Sequence, residues 1–379
     1  MRYAIAISCL FVLALAPSMA AADAPRTVGA ALRGYFSARS EDPAAQKLRE
    51  AGFAYERMLV AESLPSGLSL MVEVELNRDD TSVRYPLKLK RASQADDAGW
   101  RIAWAPEEAY ARSLASVENG RSLADIDGES WAELERLPAL PIIVRSGGLI
   151  TPFGEVAESP SDRVEDAEEI APPDKLGEHI ESWVGLVLED APGPAAVDLI
   201  VDQGVSWRQT TRAMMGPASL GLFRIYLVGA ADGGLSAQSA VAPVRGEQDE
   251  AVTLVVGMYG SEDSEVYRVR VGGDLIDDGR DCEEGVEATF CADSDEGFRD
   301  GLEEVVLPAL AEGDTDIAMI TFGATGDIST AELAERRLAM ADALGVPVDK
   351  TFVGFIGEAR EEKVDENDGS DDARDEEGE

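Results

Sequence analysis

The stretch VDLIVDQGVSWRQTTRAMMGPASLGLFRIYLVG, residues 197–229, reads as a strand, a tight turn, a capped helix and a second strand. A looser version returns at residues 317–357, IAMITFGATGDISTAELAERRLAMADALGVPVDKTFVGFIG. The two share few letters, so their likeness rests on physical devices. Each opens on a short apolar run, Leu199-Ile200-Val201 or Ile317-Ala318-Met319-Ile320, of the length and branching expected of a buried strand. Each then sets a capping box, Ser206 with Gln209 and Ser329 with Glu332, in which the hydroxyl and the side chain three residues on satisfy free donors at a helix start. Ile328 and Leu333 add a hydrophobic staple in the second stretch. Its helix places Leu333, Ala334, Leu338, Met340, Ala341 and Leu344 on one side and Glu332, Glu335, Arg336 and Asp342 mostly on the other, an amphipathic stripe. Both close on apolar strands, 223–228 and 351–356.

The parts before each stretch also correspond. LPALPIIVRSGGLITPFGEV (137–156) gives strand, Gly-Gly turn and strand, followed by an acidic insertion and a helix over 176–189. AVTLVVGMYGSEDSEVYRVRVGG begins at Ala251 and is followed by a helix over 297–310. Both copies read ββαβαβ. Upstream, residues 28–36 and 44–60 are expected to be helical. The period then changes to two: Val72, Val74 and Leu76 alternate with Glu73 and Glu75, Leu87 and Leu89 with Lys88 and Lys90, and Trp100, Ile102 and Trp104 with Arg101 and Ala103. Such alternation is the mark of half-buried strands. Residues 113–136 are polar and acidic, as in a linker.

Composition bounds the function. The 379 residues carry 74 acidic against 33 basic side chains, a net charge of −41, which excludes nucleic acid as a partner because its phosphates would be repelled. Anionic lipid is disfavoured on the same ground. The first residues, MRYAIAISCLFVLALAPSMAAADAP, have an Arg, a short apolar run and small residues around Ala20 and Ala22, the pattern of a secretory signal peptide. A membrane span needs about 20 apolar residues and this run is shorter, so no stable membrane anchor is expected after cleavage. Export favours disulfides. Cys282 and Cys291 remain after cleavage and bracket a short acidic loop; a bridge between them is expected, with roughly 2 to 3 kcal/mol of stabilisation in the chain-entropy model. Free thiols or a metal site are the alternatives, but neither a CxxC motif nor paired histidines supports a metal. No EF-hand spacing is present, and no cofactor is expected.

Two resemblances organise the chain. Helices followed by an antiparallel sheet closing on GWRIAWAP resemble the NTF2-like, cone-shaped α+β domain over residues 27–112. Members of that superfamily often use the cone as a pocket, which would be lined here by Phe53, Trp100 and Trp104. The two ββαβαβ stretches resemble the periplasmic domain of the ExbD/TolR biopolymer-transport family. In the first copy Val201-Asp202, Val205, Trp207, Gly221 and 225–228 stand at the family's turn and closing strand; in the second, Phe322-Gly323 replaces the Ala-Asp pair while Ile328, Gly345 and 352–356 keep the pattern. That family is anchored by one transmembrane helix bearing a proton-relaying Asp, which this chain is not expected to have. The implied fold is α+β: a signal peptide over 1–22, an NTF2-like domain over 27–112, a linker over 113–136, ExbD/TolR-like domains over 137–232 and 250–357, and a disordered acidic tail over 358–379. The implied partners are envelope proteins or a second copy of the chain, with Asp202, Val205 and Trp207 as candidate contacts. Gly216-Pro217 departs from the family and is expected either to stop the helix near Met215 or to alter its groove.

Catalytic chemistry has little to stand on. The only histidine, His179, lies four residues before Trp183 in a helix, a spacing that suits the boundary between surface and core. GxxxxGK[ST], GxSxG and HExxH are absent. GATGDIST (323–330) has the form of an anion-binding turn, but Asp327 and Glu332 beside it would repel phosphate. A non-catalytic exported binding or assembly module is therefore expected, with a small-ligand protein or enzyme centred on the N-terminal cone as the alternative. Cleavage between about Ala20 and Ala24 follows from the small residues there. Intact mass of the exported protein should begin in that window; a membrane-bound product that keeps Met1 would refute it.

Overall fold

The computed structural model describes residues 26–63, 68–79, 81–91, 99–117, 123–131, 133–134, 138–157, 173–187, 196–222, 224–231, 234–240, 252–260, 265–276, 282, 288–313, 317–324 and 328–353. The expected signal peptide and acidic tail lie outside them. The chain is α+β and divides into two compact units, Met1–Gly246 with Ser329–Glu335, and Glu247–Ile328 with Arg336–Glu379.

The first unit opens with α1 (Val28–Tyr35) and α2 (Pro43–Glu50), capped by Thr27 and Asp42, whose side chains accept from Ala30 N and Ala45 N. The helix expected over 44–60 ends early. Gly52, at φ 91, turns the chain, Phe53 N donates back to Leu48 O, and β1 (Ala54–Ser63) follows. Alanines and mixed apolar residues in this stretch fit either period, and pairing with the next strand decides between them. β1, β2 (Ser69–Arg78), β3 (Thr81–Arg91) and β4 (Trp100–Trp104) form an antiparallel meander. Asp79, at φ 49, sits in the two-residue connection between β2 and β3. Val72, Val74, Leu76, Leu87 and Leu89 pack on one face with Leu32, Leu48, Tyr85 and Tyr110.

The half-buried sheet expected from the alternation is instead covered on both faces over β2 and β3. Glu73 is 2% exposed, and Glu75, Arg84 and Lys88 are buried as well. Arg84 pairs with Glu73 at 2.9 Å, Ala139 N donates to Glu73 at 2.7 Å, Arg84 also reaches Leu134 O, and Lys88 Nζ donates to Leu186 O at 3.2 Å. Glu73, Glu75 and Lys88 are thus internal, while Lys90 and Arg101 of the same alternation stay exposed as expected.

After α3 (Glu108–Ala115), the segment expected as a linker is built into a seven-stranded mixed sheet. β5 (Glu129–Ser130) pairs with β11 (Gly234–Ser239). Ala124 N donates to Val201 O, Ile126 N to Ala230 O, and Ala230 N to Ala124 O. Trp131 is fully buried and its indole donates to Asp198 at 2.7 Å. Its polar composition hid this role, because backbone groups and one aromatic do the tying. The sheet order is β5-β11-β10-β9-β6-β7-β8, with β6 (Ala139–Arg145), β9 (Ala196–Val201) and β10 (Arg224–Ala231) parallel, and β7 (Gly148–Thr151) and β8 (Gly154–Ala157) antiparallel beyond β6. α4 (Asp174–Val187) precedes β9, and α5 (Trp207–Ser219) connects β9 to β10. The Ser206–Gln209 capping box is formed in full. The break expected near Met215 does not occur. α5 runs through Pro217 to Ser219, where the missing N–H affects only the last turn, and Gly216 leaves room for Leu176 of α4.

The second unit holds β12 (Val252–Gly260), β13 (Glu265–Val271), β14 (Asp274–Leu275), β15 (Phe290–Ala292), β16 (Ile317–Ala324) and β17 (Thr351–Val353) in the order β14-β13-β12-β16-β17, with β15 also on β13. β12, β16 and β17 are parallel and β13 is antiparallel. The first crossover is α6 (Asp295–Gly301), a π-helical turn over Leu302–Val306 and α7 (Leu307–Glu312); the second is α8 (Thr330–Leu344). The strand order β13-β12-β16-β17 thus repeats β7-β6-β9-β10 in sequence, sense and helical connections. Cys282 and Cys291 lie at disulfide distance, with Cα atoms 5.9 Å apart.

Arg336, expected on the outer face of α8, is buried. It pairs with Glu265 at 3.3 Å and with Asp295, and lies over the Phe298 ring at 5.3 Å. Neighbouring Arg337 is wholly buried, which pushes its guanidinium down to about 10. Among the described residues no helix is long and apolar enough to cross a membrane.

Gly229 shows how tightly the former linker is bound. A Cβ there would stand 2.4 Å from Ala124 O and 2.7 Å from Ile126 Cβ, whereas one at Gly147 would meet nothing within 4 Å. Gly229→Ala should destabilise the protein by about 1–3 kcal/mol and Gly147→Ala by less than about 0.5 kcal/mol, read by urea unfolding. Equal stabilities for the two variants would show that 123–126 is not packed on the sheet.

Candidate functional site

α4 buries Leu176, Ile180, Trp183 and Val187, a stripe at helical spacing, and this places His179 at the edge of the stripe. The Thr151 hydroxyl, at the buried end of β7, lies 2.7 Å from His179 Nδ1 and accepts Phe153 N–H at 3.1 Å. Phe153 stands 6.0 Å from the imidazole and 5.4 Å from Trp104, which meets Trp183 at 6.0 Å. Glu107, at the start of α3, donates its backbone N–H to Pro152 O at 2.8 Å and closes the corner. Burial lowers the His179 pKa below its ordinary value, against the opposing charges of Glu107 and Glu178 and with a smaller contribution from Lys175. Burial thus favours the neutral imidazole, which lies in hydrogen-bond contact with Thr151. Thr151 is itself wholly buried, so the pair serves as a clamp between β7 and α4 rather than as a nucleophile and its base.

The pocket expected from Phe53, Trp100 and Trp104 does not form. Phe53 precedes β1 at one edge of the four-stranded sheet, while both tryptophans lie on β4 at the other edge. Phe53 is buried beneath Arg78 (4.6 Å), Trp100 lies by Arg91 (5.3 Å), and Trp104 belongs to the His179 corner. The space between sheet and helices is filled by Leu32, Leu48, Tyr85 and Tyr110. An open cleft of about 620 Å³ lies instead against the ends of α1 and α2 and the start of β1, lined by Arg33, Phe36, Arg49, Phe53, Tyr55 and Glu56. Of the three expected residues only Phe53 reaches it. The arginines escape sequence reading because basic residues in the last turn of a helix are already explained by the helix dipole.

Asp202, Val205 and Trp207 also turn out to be internal. Val205 is 1% and Trp207 2% exposed. Asp202 is half-buried and pairs with Arg145 at 3.0 Å; burial raises its carboxyl above the ordinary value against the pull of that arginine. The turn at the end of β9 therefore spends these residues on its own packing. In the first unit the outer edge of β10 is covered by β11, but among the described residues β17 has no strand on its outer edge. No group of three or more His, Cys, Asp or Glu side chains suited to a metal ion occurs among the described residues. Comparison with protein-family models, curated proteins and solved structures found no match.

Because the His179 pKa is lowered on folding, its contribution to stability is present above the ordinary value near 6.5 and is lost as pH falls through the folded value. His179→Gln should lose less stability than the native chain on going from about pH 7.5 to about pH 5.5, in urea unfolding at both. Parallel losses in the two proteins would assign the acid response elsewhere.

Proposed function

We propose that the chain is an exported, non-catalytic binding or assembly module whose two repeats work as the periplasmic part of ExbD/TolR-like proteins does, without the proton-conducting membrane helix. In this reading the NTF2-like N-terminal domain is a fused support for the first repeat, and the module is periplasmic or secreted. The observation that carries it is the shared strand order of the repeats, with β10 covered by β11 and the equivalent β17 bare among the described residues. An uncovered edge strand offers unpaired N–H and C=O groups to an extended segment, and strand addition is a general mode of peptide recognition. The apolar N-terminal run and the paired cysteines support export. Envelope proteins or a second copy of the chain are the partners that fit. Nucleic acid does not, given the charge of −41.

The test is capture of crosslinked envelope proteins by the purified chain. Deleting residues 245–357 should reduce capture about tenfold or more, and so should proline substitution in β17 (Phe352→Pro or Val353→Pro), whereas His179→Ala should leave it unchanged. Circular dichroism checks that each variant is folded. Capture indifferent to both repeat variants, or a turnover abolished by a substitution in the N-terminal domain, would replace this reading with the enzyme alternative.

A further inference from the structure

We propose that the cleft at the ends of α1 and α2 binds a small aromatic anion, a flat ring bearing a carboxylate or phosphate. Its volume of about 620 Å³ is within the usual range for small-ligand sites. Its charge runs against that of the chain: with 74 acidic residues against 33 basic overall, the cleft is lined by two arginines and a single carboxylate, Glu56. An anion repelled by the rest of the surface is attracted here.

Both arginines have donors to offer. Arg33 is exposed, and its guanidinium makes no hydrogen bond or ion pair among the described residues, although the chain is rich in carboxylates. Arg49 gives one nitrogen to Ser40 O at 3.2 Å, while its Nη1, shielded from water, has no acceptor among the described residues. A shielded guanidinium N–H without an acceptor is costly, and a ligand oxygen in the cleft would remove that cost. Compensation of helix dipoles explains why arginines stand in the last turns of α1 and α2, and the cleft brings both guanidinium groups to one opening.

The aromatic part of the ligand follows from the other walls. Phe36 and Tyr55 are partly buried, and their rings stack at 5.9 Å with planes 7° apart. Phe53, buried under Arg78, forms the apolar floor. A planar ring can extend the Phe36–Tyr55 stack, where offset aromatic pairs gain more than their buried area alone supplies, while its acidic group lies within the field of the arginines. A bare inorganic anion would use only half of these features, and so would a neutral ring.

Titration calorimetry on the full chain tests this with four probes: benzoate, phenyl phosphate, inorganic phosphate and phenol. At least one of the two aryl anions should bind with Kd below about 1 mM and about tenfold more tightly than inorganic phosphate or phenol; which of the two does so identifies the acidic group. Arg33→Gln, at an exposed position, should weaken that binding about fivefold or more, as should Arg49→Gln, with urea unfolding to confirm that each variant is folded. Tyr55→Leu should weaken it while leaving its salt dependence in place. Absence of binding by both aryl anions, equal binding of inorganic phosphate, or affinity indifferent to the arginine variants would overturn the proposal. None of these results bears on capture by the repeats, so the two readings stand or fall separately.

Discussion

Glu73 holds the first unit together. Its carboxylate is out of water in the middle of β2, and such a charge is tolerated only when its oxygens are all but fully engaged. Here one oxygen meets Arg84 and the other accepts the N–H of Ala139, while Arg84 continues to Leu134 O. Ala139 is the first residue of β6, so the pair that neutralises the inside of the N-terminal sheet also fixes where β6 of the seven-stranded sheet begins. Lys88 makes a second tie at the end of α4, and Trp131 a third onto Asp198. Removing one partner of a buried pair typically costs about 3–5 kcal/mol, since the other charge remains stranded. The N-terminal meander and the first repeat therefore fold as one body, by contacts that are polar at their centre.

The two repeats solve one topological problem with different materials. Each carries two parallel crossovers from an antiparallel strand pair, but the first repeat extends its sheet with β8, β11 and the 123–131 segment, whereas the second adds the short β14 and β15 beside β13. Their helices differ as well. α5 keeps a full capping box and a glycine contact to α4, and α8 buries Arg336 against Glu265, Asp295 and the Phe298 ring. The consequence for function lies at the edges. Among the described residues β10 is covered by β11 and β17 has no outer neighbour, so the repeats differ at this edge.

The two corners of the first unit that carry polar side chains divide in a similar way. At the His179 corner Thr151, Phe153, Trp104 and Trp183 enclose the imidazole, and the Thr151 hydroxyl meets its Nδ1, although the Trp183 indole N–H has no acceptor among the described residues. At the α1–α2 corner Arg33 and Arg49 are not satisfied by the described residues, and the neighbouring rings stack without closing the space. Histidine and tryptophan drew attention in the sequence because they are rare. The opening formed instead around arginines, ordinary residues whose significance depends on what fails to pair with them.

By itself the sequence determined the α+β class, the strand–helix alternation of both repeats, the Ser206 cap, the approach of Cys282 to Cys291 and the alternating core of β2 and β3. These are local matters: caps, loop closure and hydrophobic period are set by residues a few positions apart. It misjudged the helix over 44–60, the linker over 113–136, the outward face of Arg336 and the exposure of Val205 and Trp207. Each of those depends on a partner distant in the chain. Glycine at φ 91 ends α2, but only pairing with β2 makes 54–63 a strand; polar residues around Trp131 resemble a linker until Asp198 receives its indole. Period and composition record whether a side chain prefers water. Only the tertiary structure decides whether another element supplies the hydrogen bonds that let a polar one leave it, because those bonds join residues whose separation in sequence carries no pattern.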